Sequence, residues 1–189
     1  MSAHVKSEPN PMTIEAFLAW EGEGDTRHEL VDGQIVAMSP PSRVHSRVTA
    51  NLAARLENRL RPPCMVLVEA GIHPPERDDI YYQADLAIDC TPLTPDGREG
   101  TNPLVIVEIL SPTTKSHDRG VKLADYRTIP SVQAILLVSS VACHVEYWRR
   151  DGAGWRVLDL IGRHTRLRLD PLELEVTLDE IYAGLDWLG

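Results

Sequence analysis

The chain has 189 residues, 43% of them hydrophobic and 25% charged, the balance of one globular domain with its own core. Its net charge of −9 excludes the broad basic face of a non-specific DNA-coating protein, but leaves room for a local basic patch beside an acidic site. Cys64, Cys90 and Cys143 form no CxxC pair, so neither a disulfide framework nor a zinc knuckle is expected, and a reducing cytoplasm is the simplest setting. No N-terminal stretch reads as a signal peptide, and no apolar run approaches the ~20 residues of a membrane span.

Residues 1–11 are polar with two prolines and are expected as a loose tail, with a single domain over 12–189. Thr13 is placed to cap a short helix from Ile14 to Trp20. Next, Asp32-Gly33 separates His28-Glu29-Leu30-Val31 from Gln34-Ile35-Val36-Ala37-Met38, the pattern of a hairpin with a two-residue type I′ turn. From Val44 to Leu60, apolar residues recur every four positions, which predicts a helix. Arg43, Arg47, Arg55 and Arg59 repeat with the same spacing one position earlier. Their simplest role is a solvated face, but the row also suits backbone phosphates, and Arg43, His45 and Arg47 at the helix start are the candidate nucleic-acid contacts. Pro62-Pro63 ends the helix.

Strands are expected around Met65 to His73, around Asp85 and over Leu104 to Leu110, with a loop at 91–102 and a second loop before a short helix from Asp118 to Thr128. The remainder reads as a β-meander: Gln133 to Ser139, Cys143 to Arg149 and Trp155 to Leu160. Thr177 and Glu180 have capping-box spacing for a last short helix ending near Leu185. The order predicts a mixed α/β domain around one sheet, with an N-terminal hairpin and a C-terminal meander.

Two carboxylates break this pattern. Glu108 sits inside Leu104-Val105-Ile106-Val107-Glu108-Ile109-Leu110, a run apolar enough to be buried on both faces. Burying an ionised carboxylate costs several kcal/mol unless a cation or strong hydrogen bonds offset it. Asp85 interrupts Gln83-Ala84-Asp85-Leu86-Ala87-Ile88-Asp89 in the same way. Two acids on adjacent core strands suggest a shared site for a hard divalent cation such as Mg²⁺ or Mn²⁺. Lys122 offers a charge to neutralise a transition state or orient water, and Glu29 a further carboxylate. Taken singly, each residue has a plainer reading: Glu108 paired with an arginine, Asp85 solvated near a turn, Lys122 in a helix-surface pair with Asp118, Glu29 exposed on a hairpin. Tyr126 is expected to pack on the sheet with its hydroxyl at the surface.

At these residues the chain resembles the PD-(D/E)xK nuclease superfamily, with Asp85 and Glu108 in the places of its two acids. A closer resemblance is to the Uma-type family of bacterial proteins labelled as restriction endonucleases. It rests on His28-Glu29-Leu30-Val31-Asp32-Gly33-Gln34-Ile35, on Ser39-Pro40-Pro41-Ser42 followed by His45, on Glu108-Ile109-Leu110-Ser111-Pro112-Thr113-Thr114, and on Asp118, Lys122 and Tyr126. It covers about residues 12–185. The chain departs from the pattern at Ala84, where the family usually has Pro, and at Leu110, where the superfamily has its lysine. The resemblance implies a restriction-endonuclease-like core and Mg²⁺- or Mn²⁺-dependent hydrolysis of DNA. Asp85 and Glu108 would hold the metal, Lys122 would stand in for the missing lysine, and Glu29 would support the site. The alternative is a nuclease-fold module that binds nucleic acid or protein without turnover. A homodimer is expected, since a small domain without a recognition module needs two copies to embrace a duplex, and Trp148, Trp155 and Trp187 have little obvious use in a monomer.

Overall fold

In the computed structural model, the described residues are 11–22, 24, 26–93, 102–112 and 118–188. The expected tail (save Pro11), most of the 91–102 loop and the stretch carrying Thr113-Thr114 lie outside them. Helix α1 (Ile14–Ala19) starts where expected, with Thr13 in an extended conformation and its hydroxyl accepting from the Ala16 amide at 3.2 Å. Strands β1 (His28–Val31) and β2 (Gln34–Ala37) pair from His28 opposite Ala37 to Val31 opposite Gln34. Asp32 (φ 49°) and Gly33 (φ 74°) are both left-handed, as a type I′ turn requires. Gly33 also lacks room for a side chain, because a Cβ there would come within 2.3 Å of Pro11.

Helix α2 (Arg43–Glu57) is capped by Ser42, whose hydroxyl accepts from the His45 amide at 3.1 Å. Val48, Leu52 and Leu56 are completely buried on its inner face. Each contributes roughly 1.5–3 kcal/mol by leaving water.

Six strands make the central sheet: β3 (Met65–Ile72), β4 (Tyr82–Asp89), β5 (Pro103–Leu110), β6 (Ala134–Ser139), β7 (His144–Asp151) and β8 (Gly154–Ile161), adjacent in that order. All neighbours are antiparallel except β5 and β6, which run parallel. Parallel neighbours need a crossover. Here it includes a π-helical turn (Asp118–Lys122) that runs into helix α3 (Leu123–Tyr126). One sheet face packs against α2 and the C-terminal elements; the other packs against α3. Glu108 lies among the strands covered on both sides.

Three expectations are corrected. Cys64 and Cys90 form a disulfide. Antiparallel pairing sets Met65 opposite Asp89, so the residues just outside that pair meet at the end of the β3–β4 ribbon. Only Cys143 is a free buried thiol, its pKa pushed up by burial. The stretch after β8 is not just a connection to the last helix. It holds a second hairpin, β9 (Arg166–Leu169) and β10 (Leu174–Thr177), with a short 3₁₀ turn (Asp170–Leu172) between them. Its Leu167, Leu169 and Val176 join the core. Trp148 and Trp155 pack on the second cluster and lie 5.3 and 4.7 Å from the guanidinium groups of Arg127 and Arg150, so both are employed within one chain. The capping box is present as expected: Thr177 and Glu180 bond reciprocally at the start of helix α4 (Leu178–Ile181).

Candidate active site

The β4–β5 ladder ends at Leu86 opposite Val107. Asp85 lies just beyond; in the β3–β4 register it stands opposite Glu69, between the pairs Val68–Leu86 and Ala70–Ala84, but those two residues are not paired. Glu69, the β3 residue skipped at the same point, has φ 53°. The Asp85 carboxylate takes the place of a backbone partner: its Oδ2 accepts from the Ile109 amide of β5 at 2.7 Å. The same oxygen lies 3.2 Å from His45 Nε2, at the start of α2. Both contacts fall on Oδ2; Oδ1 has none among the described residues.

Glu108 lies on the adjoining strand and is 3% exposed. Its Oε1 accepts from the Tyr126 hydroxyl at 2.6 Å and lies 3.4 Å from Lys122 Nζ. That ammonium is 2.7 Å from Glu29 Oε1, which also accepts from the Gln83 amide at 2.8 Å. Lys122 is therefore a buried cation between two buried carboxylates, reaching in from the π-helical turn. Its ammonium also sits 5.5 Å from the ring of Tyr82. Tyr82 in turn donates to Asp125 at 2.6 Å; burial first, and that bond second, push its phenol well above the ordinary tyrosine range.

The four sequence candidates thus stand at one end of the sheet, with Glu29, Glu108 and Lys122 in direct contact and Asp85 on the strand beside Glu108. The cation near Glu108 is a lysine rather than an arginine, and Glu29 is buried rather than exposed. Tyr126 is completely buried, and its hydroxyl points at Glu108 rather than at solvent. The single helical turn after Lys122 lays both side chains against the sheet. A three- or four-residue spacing from Lys122 was the available signal for this.

The arginine row divides. Arg59 pairs with Glu180 at 2.6 Å, and Arg47 Nε donates to the Ala183 carbonyl at 3.4 Å, so both fasten α2 to the C-terminal helix. Arg43 is exposed at the helix start.

The donor set suits a hard cation. Glu108 and Glu29 bring two carboxylates against one lysine, and Asp85 adds a third on the neighbouring strand; carboxylate oxygens are what Mg²⁺ and Mn²⁺ take. Among the described residues, however, the one group of three potential ligands that converges is another: His144, Glu146 and Asp159 have ligand atoms within 4.8 Å of one another. Glu146 pairs across the sheet with Leu137, which pairs with Glu108, so this group continues the same row of the sheet. Glu146 is ion-paired with Arg119, and His144 lies 2.8 Å from Asp159. Its three members are scattered over β7 and β8 and carried no signal in the sequence.

A six-stranded mixed sheet flanked by helices, with acids on adjoining central strands and a lysine facing them, defines a restriction-endonuclease-like α/β protein. Similarity to known proteins agrees. Residues 14–180 match the family described as "Uma2: Putative restriction endonuclease", and the chain belongs to that family. It is 32% identical over 189 residues to an uncharacterized protein of Synechocystis sp., covering 98% of this chain and 99% of that one. A second uncharacterized Synechocystis protein is 25% identical over 168 residues, covering 86% of this chain and 95% of its own length. Among solved structures, a "putative nuclease belonging to DUF820" from Anabaena variabilis superposes with a TM-score of 0.73 at 17% identity. The match covers 92% of this chain and 98% of that one, and it shows the shared fold.

Proposed function

We propose that this protein is a metal-dependent endonuclease that hydrolyses phosphodiester bonds in DNA. The observation that carries the reading is the placement of Lys122. Leu110 occupies the position where the superfamily has its lysine, and the π-helical turn supplies an ammonium to Glu108 from another element. Asp85 and Glu108 would hold Mg²⁺ or Mn²⁺, which would supply charge neutralisation at the phosphate and a more acidic attacking water.

The chain's own groups do the rest. Glu29 and Glu108 hold the Lys122 ammonium, which is placed to orient the attacking water and to offset charge on the phosphoryl oxygens. Tyr126 fixes the Glu108 carboxylate by a short hydrogen bond. His45, 3.2 Å from Asp85, orients that carboxylate, and with Arg43 it faces an approaching backbone from the start of α2. Water attacks the phosphorus directly and its proton passes to solvent; the P–O bond to one sugar oxygen breaks, and that leaving oxygen takes a proton from solvent.

Calorimetry with Mn²⁺, paired with cleavage of a labelled duplex in Mg²⁺, tests this. Wild type binds the ion and cuts; Asp85→Ala and Glu108→Gln do neither while keeping the folded far-UV spectrum. No heat at millimolar Mn²⁺ overturns the reading. Ion binding without cleavage points instead to a nuclease fold that binds without turnover.

A further inference from the structure

Strand register brings three metal-ligating side chains together away from Asp85 and Glu108. His144 and Glu146 alternate along β7 and so share one face, and Asp159 of β8 stands directly opposite Glu146 and diagonal to His144. Their ligand atoms lie within 4.8 Å of one another, with His144 Nε2 2.8 Å from Asp159 Oδ1. An ion held at about 2.0–2.2 Å from nitrogen and oxygen bridges such a gap with small side-chain rotations. Exposure rises across the group, from 13% of the Glu146 side chain to 25% of His144 and 60% of Asp159. The group is anchored on its inner side and open to solvent on its outer side, as a site with three protein ligands and one free position requires.

Glu146 already draws a cation. The Arg119 guanidinium, from the π-helical turn, pairs with it. Yet Arg119 Nε is buried and meets no acceptor among the described residues. A buried N–H left unpaired costs about 1–3 kcal/mol, so the guanidinium is attracted by charge but fits poorly. Two carboxylates against one guanidinium also leave negative charge over. The His144 imidazole adds a lone pair that a dication can use and a guanidinium, which only donates, cannot.

We propose that His144, Glu146 and Asp159 bind a borderline transition-metal dication, Zn²⁺ or its like, and that the ion displaces Arg119. An imidazole ligand favours such ions, whereas Glu108 and Glu29 offer only the oxygen that Mg²⁺ takes. The two sites are separate. Glu146 stands two strands from Glu108 in the same row, about 10 Å at ~4.8 Å per strand, against the ~3.5–4 Å of a two-metal centre. The assignment therefore does not rest on the nuclease reading of Asp85 and Glu108.

The test is Zn²⁺ calorimetry, with visible absorption of bound Co²⁺, in millimolar Mg²⁺. His45 beside Asp85 offers zinc another nitrogen, so each variant is also made in the Asp85→Ala background. Asp85→Ala protein keeps one equivalent of Zn²⁺ against excess Mg²⁺. Adding His144→Gln or Asp159→Asn removes that equivalent and its Co²⁺ band. Arg119→Gln binds Zn²⁺ more tightly by about two- to five-fold, the worth of a partly exposed ion pair that the ion no longer has to break. No zinc bound by Asp85→Ala protein overturns the site, as does equal binding by Asp85→Ala with and without His144→Gln. Unchanged or weaker binding by Arg119→Gln overturns the displacement of Arg119. Asp159 is mostly exposed, so its Asn variant decides the matter even if His144→Gln does not fold. Mg²⁺-dependent cleavage is a separate readout that stands or falls with Asp85 and Glu108.

Discussion

Lys122 Nζ lies 2.7 Å from Glu29 Oε1, joining the N-terminal hairpin to the π-helical turn through a pair that is almost fully buried. Removing one partner of a buried pair leaves an uncompensated charge. With Glu108 also 3.4 Å away, Lys122→Met strands two carboxylates rather than one. We expect it to lower unfolding free energy by about 3–5 kcal/mol in urea titrations. Adding Glu29→Gln to it should recover part of that loss. A double mutant less stable by the sum of the two single losses would show the pair to be uncoupled.

Metal should stabilise the fold by linkage, because only the folded chain brings Asp85 and Glu108 together. At an ion concentration 100 times Kd, the gain is about 2.7 kcal/mol. Thermal unfolding across a Mg²⁺ or Mn²⁺ series should therefore show a rising Tm for wild type and a flat one for Asp85→Ala. A flat wild-type curve would make the two carboxylates structural.

Arg43 and Arg59 should behave differently despite their matching place in the four-residue repeat. Arg59 is committed to Glu180, whereas Arg43 is exposed next to the site. Arg43→Gln should weaken DNA binding about equally for all sequences and reduce the slope of log affinity against log salt by about one. Arg59→Gln should leave the slope unaltered and lower Tm instead. Equal salt slopes in both variants would return Arg43 to the solvated face.

Glu180 gives the fold a defined acid sensitivity. The Thr177 backbone amide, and after it Arg59, hold its carboxyl below the ordinary value of 4.5. A depressed folded-state pKa means stability that is present above pH ~4.5 and lost as pH falls through the folded value. Wild type should lose Tm steadily below about pH 4.5, and Glu180→Gln should show a shallower decline. Gln keeps the capping-box bond, so at pH 7 the variant should be less stable by only about 0.3–1 kcal/mol, the worth of a negative charge at a helix start and of a partly exposed ion pair with Arg59. Parallel pH profiles for the two proteins would assign the acid sensitivity elsewhere.

Local chemistry made much of this architecture readable from the chain alone. Thr13 stands where a cap must be, Asp32-Gly33 suits left-handed turn residues, and the four-residue apolar repeat of α2 has one inner face. The two acids of the site were visible for a related reason: a carboxylate in an apolar strand is costly, and the cost marks the position. Other features depend on contacts between residues far apart in sequence, which no local pattern encodes. The Cys64–Cys90 bond follows from strand register. Arg59 is taken up by Glu180, 121 residues on, and not by solvent. The β9–β10 hairpin is held by a core that the rest of the chain supplies. Asp85, Glu108 and Lys122 were named from their residue types. That Lys122 lies closer to Glu29 than to Glu108, that Tyr126 turns its hydroxyl inward, and that the Gln83 side-chain oxygen meets no donor among the described residues were decided by packing, because only the assembled sheet determines which buried charges and dipoles meet.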